Sequence, residues 1–227
     1  MIDGRGEHGA AARGSTAQQA GHVRDSCLAR MITGRIHLNA GAWLDSVPGW
    51  IPAIEADPLL AALRDELTWE QRDIVLFGRR VLQPRLIAWA GSLPYRYSGQ
   101  TLEPRELTAT TATLLARVKV WARTPFNHVL INRYRDGTDS MGLHADDEPE
   151  LGPDPIVATV SLGATRRFVL KPRRASLGPG CTLELGHGSL LVMGGTCQRH
   201  YVHGVPRQPA PTGERISLTF RRLLTEP

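Results

Sequence analysis

The chain has 227 residues, of which 41% are hydrophobic and 22% are charged, with a formal net charge of +5. This composition supports one domain with a hydrophobic core and argues against disorder throughout the chain. No uninterrupted apolar run reaches the roughly 18 residues that a membrane span needs, so no membrane association is predicted. The basic balance, with a sequence pI of about 9.6, favours a polyanionic partner such as a nucleic acid.

The cysteines and the N-terminal segment indicate the compartment. Cys27, Cys181 and Cys197 form an odd, widely spaced set without a CxxC pair. Such a set is typical of a reducing environment rather than of a disulfide framework. The N-terminal segment contains no apolar stretch of the kind found in secretory signals. We therefore predict a cytoplasmic protein.

The first part of the chain is predicted to be a tail followed by helices. Residues 1–35 are rich in Gly, Ala, Ser and Arg without a hydrophobic period, which predicts a disordered tail. Residues 36–125 are predicted to form a helical extension. Its first helix has Asp57 as a cap and Pro58 at the first position, because both residue types favour a helix N-terminus. The leucines that share one face of this helix are Leu59, Leu60, Leu63 and Leu67.

A second helix is predicted within residues 103–122, with Pro104 at its start. The apolar residues that recur there at helical spacing are Leu107, Leu114, Leu115, Val118 and Trp121. Between the two helices, the segment RLIAWAGSLPYRYSGQ has the pattern of strands and a turn, and it carries Tyr95 and Tyr97.

Residues 126–227 consist of short β-rich runs separated by Gly, Pro and Asp. Examples are NHVLINRY, PIVATVSLG, RRFVLKP, GSLLVMGG and RISLTFRRL. Short strands at this spacing predict a sandwich or a barrel, with a jelly roll as one option. The predicted fold class is therefore α+β: a mainly β protein with flanking helices.

The segment MGLHADDEPELG contains a candidate pair of metal ligands. His144 and Asp146 are two residues apart, so in a strand they point to the same side. Two histidines and one carboxylate form the ligand set of non-haem Fe(II) oxygenases. The distant histidines that could complete the set are His187, His200 and His203, and periodicity does not choose among them. By pattern alone, a surface loop is the commoner explanation of His-x-Asp.

An alternating strand near the C-terminus carries two arginines on one face. The residues on that face are Arg215, Ser217, Thr219 and Arg221, and Ile216, Leu218 and Phe220 lie on the other. If the first face points into a barrel, the arginines need anionic partners, which a dicarboxylate would supply. The pattern equally allows the solvent-exposed face of an edge strand.

The order of several motifs resembles that of a known family. The motifs are LINRYRDGTDSMGLHADDE, VSLGATRRFVL, LGHGSLLVMGG, HYVHGVP and RISLTFR. In this order and spacing they resemble the AlkB family of Fe(II)- and 2-oxoglutarate-dependent dioxygenases, and most of all the branch with the human DNA-repair homologues. The resemblance covers roughly residues 80–224. It implies a double-stranded β-helix (jelly roll) core in residues 126–227, with a nucleotide-recognition lid before it.

The resemblance also implies roles for individual residues. The HGVP motif selects His203, so the implied iron ligands, which are also the catalytic centre, are His144, Asp146 and His203. His200 is then expected to be a strand histidine that packs or hydrogen-bonds nearby. Arg215 would pair with the distal carboxylate of 2-oxoglutarate, and Arg221 would lie nearer the metal. The remaining implied cosubstrate contacts are Asn132, Tyr134 and Ser217, of which Ser217 stands where the family has asparagine.

The implied substrate contacts are Tyr95, Tyr97, Glu148, Arg173 and Arg174. Glu148 would accept a hydrogen bond from the base, and the tyrosines would contact the nucleotide. Arg173 and Arg174 belong with Arg166, Arg167 and Lys171 to an exposed basic cluster that is predicted to follow phosphates. Packing explains the tyrosines equally well, and exposed basic runs are often only solvated.

The function implied by the resemblance is oxidative demethylation of N-alkylated bases in DNA, such as 1-methyladenine and 3-methylcytosine. The expected cofactor is Fe(2+), the expected cosubstrates are 2-oxoglutarate and O2, and the expected state is a monomer. Two alternatives stay open. One is the same chemistry on RNA, protein or lipid; the other is a non-catalytic β-sandwich that binds nucleic acid.

Overall fold

The computed structural model describes residues 34–76, 78–208 and 212–224. The α-helices among them are α1 (Ala53–Glu66), α2 (Ala109–Ala122) and α3 (Cys197–His200). The strands are β1 (Gly34–His37), β2 (Trp43–Val47), β3 (Asp73–Leu76), β4 (Arg79–Leu82), β5 (Leu86–Gly91), β6 (Tyr95–Tyr97), β7 (Gln100–Leu102), β8 (His128–Tyr134), β9 (Met141–His144), β10 (Val157–Gly163), β11 (Arg166–Pro172), β12 (Cys181–Leu185), β13 (Ser189–Gly194), β14 (Tyr201–Val205) and β15 (Arg215–Arg221). None of these helices has both the length and the apolar character required to cross a bilayer.

Two antiparallel sheets make up the β core. The larger sheet has the strand order β1-β2-β13-β10-β15-β8-β5, and the smaller sheet has the order β12-β11-β14-β9. One hydrophobic cluster contains Leu44 and Leu191 from the larger sheet and Phe168, Leu183 and Tyr201 from the smaller one. The two sheets therefore pack face to face, as the predicted jelly-roll core requires.

Helices α1 and α2 cover the outer face of the larger sheet. Leu63 of α1 and Leu114 of α2 are fully buried in a cluster with Val129 of β8 and Leu218 of β15. The molecule therefore has three layers: helices, the larger sheet and the smaller sheet. This arrangement leaves the inner face of the larger sheet to line the space between the two sheets.

Strand β15 shows how alternation separates packing from polar function. It lies between β10 and β8, and is therefore not an edge strand. Ile216, Leu218 and Phe220 pack under the helices, while Arg215 and Arg221 lie on the opposite, inner face. The sequence allowed this face to point into a barrel or to be the solvent-exposed face of an edge strand. In the structure it points inward.

Both predicted helices are present, but their starts differ from the prediction. Helix α1 begins at Ala53, so the prediction of Asp57 as its cap was wrong, and Pro58 lies inside the helix. Helix α2 begins at Ala109 rather than near Pro104, because the Thr108 side chain caps it by accepting a hydrogen bond from the Thr111 backbone N–H. The threonine side chain accepts a hydrogen bond from a backbone N–H that has no partner within the helix, whereas a proline side chain has no acceptor to offer.

The N-terminal segment also contributes strands to the core. Residues 36–125 were expected to form a helical extension with strands only between its two helices. Strand β5 lies in that interval, but β2 and the last two residues of β1, which precede α1, also join the larger sheet. The expected disordered tail, residues 1–35, lies outside the described residues except for Gly34 and Arg35, which begin β1. The boundary at residue 125 between extension and core stays a prediction.

Two hairpins precede α2. Strands β3 and β4 form one, and β6 and β7 form the other, each as a separate two-stranded sheet. In the second hairpin, Ser98 and Gly99 have positive φ angles of 49° and 78°, as the tight turn between paired Tyr97 and Gln100 requires. Tyr95 and Tyr97 are buried, and Arg96 between them is exposed.

Leu218 provides a test of the core. Its side chain is 0% exposed on β15, an interior strand of the larger sheet. We expect Leu218→Ala to lower the free energy of unfolding by about 2–5 kcal/mol through lost burial and a residual cavity, as measured by urea denaturation. Leu82→Ala is the matched control, since Leu82 is 53% exposed. Equal losses for the two variants would contradict this packing.

Candidate metal centre and adjoining pocket

Three potential metal ligands converge where β9 and β14 pair. His144 is the last residue of β9, Asp146 follows it by two positions, and His203 lies in β14. The strands pair with His203 opposite His144, which brings the two imidazole centroids to 4.4 Å. One ligand atom of each of the three residues lies within 4.8 Å of the others. Strand pairing therefore joins residues that are distant in the sequence.

The positions of the ligand atoms fit a single iron ion. His144 Nε2 lies 4.0 Å from Asp146 Oδ1, and His203 Nε2 lies 3.8 Å from Asp146 Oδ2. Asp146 Oδ2 is buried and has no hydrogen-bond partner within the described part of the chain. A buried carboxylate oxygen is costly unless a donor or a cation meets it. Two imidazoles and one carboxylate also leave coordination positions open for other ligands.

The surroundings hold the three groups in the protonation states that bind metal. Burial lowers the pKa of His203 to about 3, and His144 adds to this effect. Burial likewise lowers the pKa of His144. Burial would raise the pKa of Asp146, but Arg221 and the two histidines outweigh it and lower that pKa to about 2. Neutral imidazoles and an ionised carboxylate are the forms that a metal ion requires.

Neighbouring groups orient the ligands. The backbone N–H of Asp146 donates to Gln198 Oε1 at 3.0 Å, and the Phe168 ring stacks on His203 with centroids 5.3 Å apart. A Cβ at Gly204 would lie 2.8 and 2.9 Å from carbonyl oxygens of β9. Glycine after His203 therefore allows β14 to approach β9 closely. These contacts restrict the positions of the Asp146 backbone and of the His203 ring.

The other candidate histidines lie elsewhere. His200 ends the short helix α3, so the interpretation of His200 as a strand residue was wrong. Because His200 lies in a helix and His203 in a strand, strand alternation does not relate the directions of their side chains. His187 accepts a hydrogen bond at Nδ1 from the backbone N–H of Gly163, and its Nε2 lies 3.2 Å from Asp57 Oδ1. In the described ranges, no second group of three such ligands is present.

A pocket lies beside the metal-ligating group, between the two sheets. It is lined by Asn132, Tyr134, Met141, His144, Thr159, Phe168, His203, Val205, Arg215, Ser217, Thr219 and Arg221. All five residues that the resemblance assigned to the cosubstrate are in this set. Strands β8 and β15 bring four of them together, because Arg215 pairs with Tyr134 and Ser217 with Asn132.

Arg215 makes the pocket suitable for a carboxylate. Its side chain is 1% exposed, and Nη2 donates to Ser161 Oγ at 2.8 Å. Nε and Nη1 are buried without a hydrogen-bond partner in the described residues, and the guanidinium lies 5.2 Å from the Tyr134 ring centre. Burial lowers the pKa of Arg215. A buried guanidinium with free donors is stabilised by an anion, and a carboxylate matches its geometry. The residues therefore fit 2-oxoglutarate.

Arg221 lies at the metal end of the same strand face. Its Nη2 donates to Asp146 Oδ1 at 2.6 Å, and both side chains are almost completely buried. Burial alone would lower the pKa of Arg221, but Asp146, Tyr95 and Glu148 raise it. The resemblance placed Arg221 near the metal. Its contact in the structure is with a metal ligand itself.

The residues assigned to the substrate fall into two groups. Tyr95 and Tyr97 are buried on β6 with ring centroids 6.2 Å apart, and the Arg221 guanidinium lies 5.5 Å from the Tyr95 ring. Glu148 is half-buried just after Asp146, and burial raises the pKa of its carboxyl group. These three residues therefore lie on the metal side of the fold.

The basic residues after β11 are different. Arg173 and Arg174 are exposed, and Arg173 pairs with Asp147 at 2.5 Å. Arg166 was predicted to belong to the same basic cluster, which was wrong. Arg166 is 1% exposed and donates to the carbonyl oxygens of Asp136, Asp139 and Pro206.

Sequence reasoning missed two buried polar residues at the site. Arg85 donates to both Asn132 and Tyr97, and His128 packs edge-on against Tyr95 with centroids 4.9 Å apart. Only the alternation of β8 offered a signal, since His128 shares a strand face with Asn132. Arg85 precedes its strand and had no such signal.

The jelly roll, the His-Asp-His group and the buried arginine together define an Fe(II)- and 2-oxoglutarate-dependent oxygenase. The sequence model of the 2OG-Fe(II) oxygenase superfamily matches residues 44–221. The solved structure of OsALKBH1 has the same fold, with a TM-score of 0.60 at 16% identity over 82% of this chain and 100% of that one. The predicted double-stranded β-helix is therefore confirmed.

Curated relatives narrow the assignment. Alpha-ketoglutarate-dependent dioxygenase alkB homolog 3 of Rattus norvegicus is 39% identical over 188 residues, 79% of this chain and 64% of the relative. DNA oxidative demethylase ALKBH2 is 36% identical in Homo sapiens, covering 75% of this chain and 69% of the relative, and 33% identical in Arabidopsis thaliana, covering 83% and 69%. The chain thus spans just under two thirds of the rat relative. It belongs to the AlkB family within the 2OG-Fe(II) oxygenase superfamily, which confirms the resemblance.

Metal binding tests the ligand set. We expect His144→Ala to weaken Fe(2+) binding by more than about 100-fold, because loss of a ligand exceeds the effect of losing an outer contact. Anaerobic calorimetric titration measures the affinity. His200→Ala is the control, since His200 lies outside the group, and it should bind as the unchanged protein does. Loss of binding in the His200 variant instead would overturn the choice of ligands.

The ion pair of Arg221 and Asp146 makes a separate prediction about stability. Arg221→Met leaves a buried carboxylate without its cation, so we expect the metal-free protein to lose about 3–5 kcal/mol of unfolding free energy. Added Mn(2+) should stabilise this variant more than the unchanged protein, because the ion replaces the missing positive charge. Urea denaturation with and without Mn(2+) measures both effects. Arg167→Met, at an exposed position, is the control, and equal stability of the two variants would contradict the prediction.

Proposed function

We propose that the protein is an oxidative demethylase of N-alkylated nucleobases in DNA. The observation that carries the proposal is the convergence of His144, Asp146 and His203 beside the buried, partly unpartnered guanidinium of Arg215. This arrangement provides an iron site and a carboxylate site in one pocket. A non-catalytic β-sandwich would have no reason to bury these groups together, since each is costly without its ligand.

In this proposal, each group of residues has a defined task. His144, Asp146 and His203 hold Fe(2+), and Arg215 binds the distal carboxylate of 2-oxoglutarate. With O2, these groups supply an oxidation in which 2-oxoglutarate is decarboxylated to succinate and CO2 and a methyl carbon is hydroxylated. The N-hydroxymethyl group then leaves as formaldehyde, which restores the base. Hydrolysis would not serve, because an N-methyl carbon is a poor electrophile.

The chain's own residues orient the reactants. Asn132, Tyr134 and Ser217 lie along the pocket next to Arg215 and would complete the binding of the cosubstrate. Arg221 forms an ion pair with Asp146, which keeps the carboxyl group of Asp146 ionised. The two sheets enclose the pocket and limit the access of water, which strengthens the electrostatic contacts inside it.

Recognition of the base is assigned to Tyr95, Tyr97 and Glu148. A methyl group on the Watson–Crick edge is inaccessible in a duplex, so the nucleotide must be flipped or single-stranded. Aromatic rings and a carboxylate suit a base that carries positive charge, as 1-methyladenine and 3-methylcytosine do. The lid of this proposal lies within residues 36–125, where the β6–β7 hairpin carries both tyrosines.

Three observations support DNA as the substrate. The net charge is +5, and exposed Arg173 and Arg174 can contact phosphates. Relatives that are 33–36% identical carry the name DNA oxidative demethylase. RNA offers the same base chemistry and is an arm of the test below. The monomeric state and the cytoplasmic location stay predictions.

Turnover with defined substrates tests the function. We expect formaldehyde and succinate to form in equal amounts from DNA oligonucleotides with 1-methyladenine or 3-methylcytosine, in the presence of Fe(2+), 2-oxoglutarate and O2. Mass spectrometry should show that the oligonucleotide loses about 14 Da, the mass of the one CH₂ group by which the methylated and the restored base differ. Single-stranded DNA, duplex DNA and RNA are compared in parallel. Demethylation of RNA alone, or of none of these nucleic acids, would overturn the proposal.

Arg215→Met links this activity to the pocket. Because the variant lacks the guanidinium, we expect the KM for 2-oxoglutarate to rise by about 10-fold or more. The affinity for Fe(2+) should change little, because Arg215 is not a ligand. Arg167→Met is again the matched control, and an unchanged KM in the Arg215 variant would refute the role of this residue.

A further inference from the structure

Arg85 is a buried cation that connects three parts of the site. Its side chain lies just before β5 and is 5% exposed. Nε donates to Asn132 Oδ1 at 2.7 Å, Nη2 donates to Tyr97 Oη at 2.6 Å, and Nη1 donates to the Ser140 carbonyl oxygen at 3.2 Å. Each of its three guanidinium nitrogens therefore has an acceptor.

The three acceptors lie on β8, on the β6–β7 hairpin and directly before β9. Asn132 is on β8 and lines the pocket assigned to the cosubstrate. Tyr97 is on the β6–β7 hairpin and does not line that pocket. Ser140 directly precedes β9, whose last residue is the metal ligand His144. One guanidinium thus bridges the hairpin, the pocket and the strand that ends at the metal centre.

The contact with Asn132 sets the polarity of its amide. An amide side chain offers an acceptor on one branch and two donors on the other. Arg85 Nε can only donate, so it holds Oδ1 of Asn132. The NH2 group is then what Asn132 offers to the pocket. Donors favour a dicarboxylate there, whereas the opposite orientation of the amide would present an oxygen to an anion.

The contact with Tyr97 acts in the same way. A phenol can donate or accept, and here its oxygen accepts from Arg85 at 2.6 Å. The phenol proton is therefore directed to another acceptor. A positively charged donor also makes such bonds stronger than those between neutral groups.

The charge of Arg85 has no carboxylate partner in its described hydrogen bonds, whereas Arg221 has Asp146. The acceptors of Arg85 are an amide, a phenol and a backbone carbonyl oxygen. A buried cation with only neutral partners increases the positive potential of its surroundings. This favours a dianion in the adjoining pocket.

We propose that Arg85 is a positioning residue that couples the nucleobase side of the site to the cosubstrate pocket, by fixing Asn132 and Tyr97 as hydrogen-bond donors. The proposal rests on the function proposed above. It makes binding of 2-oxoglutarate depend on a tyrosine hydroxyl that lies outside the cosubstrate pocket. A purely structural role of Arg85 would affect stability and leave this dependence absent.

The first test uses Tyr97→Phe, which removes one oxygen atom. The Kd of 2-oxoglutarate is measured by calorimetry on anaerobic Fe(2+)-loaded protein, so that no turnover occurs. Because Arg85 loses one of its three acceptors and holds Asn132 less firmly, we expect the Kd to rise about fivefold, the equivalent of one ordinary hydrogen bond. Tyr201→Phe is the matched control, because Tyr201 is a buried tyrosine outside the pocket with a 3.5 Å bond to Asn39 O. Its Kd should stay unchanged.

The second test is a double-mutant cycle with Arg85→Lys, which keeps the charge but cannot hold three acceptors in a plane. We expect Arg85→Lys to raise the Kd of 2-oxoglutarate, and Tyr97→Phe to have no further effect in that background. Additive effects, or a Tyr97→Phe protein with an unchanged Kd, would overturn the coupling. If the unchanged protein failed to bind 2-oxoglutarate, the proposed function itself would fall, and the coupling with it.

Discussion

The buried carboxylate of Asp146 is the group on which the site depends. It is 1% exposed and is stable there only because cationic or donor groups surround it. Arg221 pairs with one of its oxygens, and the two histidines face it from either side of the β9–β14 pairing. Its remaining buried oxygen calls for a metal ion. The register of two strands therefore decides whether the chemistry is possible.

A second constraint is the charge on the inner face of the larger sheet. Strand β15 places Arg215 and Arg221 at opposite ends of one face, in the middle of the sheet, where neither can reach solvent. Asp146 compensates the charge of Arg221. The charge of Arg215 remains available to an anionic ligand in the pocket. Arg85 is a third buried cation, and its own hydrogen-bond acceptors are all neutral. The positive potential of these buried cations favours a dianionic cosubstrate in the pocket, while strand alternation places Ile216 and Leu218 on the packing face.

Particular residues show how far the sequence predicted this arrangement. The alternation in RISLTFRR predicted the two faces of β15, and the family resemblance selected His203 from the three candidate histidines. The start of α1 was misplaced because Pro58 is tolerated inside the helix, which local capping rules do not anticipate. Arg166 was taken for a surface residue, because a run of basic residues does not show that backbone carbonyl groups elsewhere in the chain will enclose one of them.

The sequence by itself determined the β-rich core, the order of its motifs and the residue types of the site, because period-2 alternation and short motifs are local properties of the chain. Only the tertiary structure decided that β15 is a central strand, that strands from the N-terminal segment complete the larger sheet, and that Arg85 joins Tyr97 to Asn132. These features depend on which strands become neighbours and in which register. That choice is made by the burial of many side chains at once, and no local pattern records it.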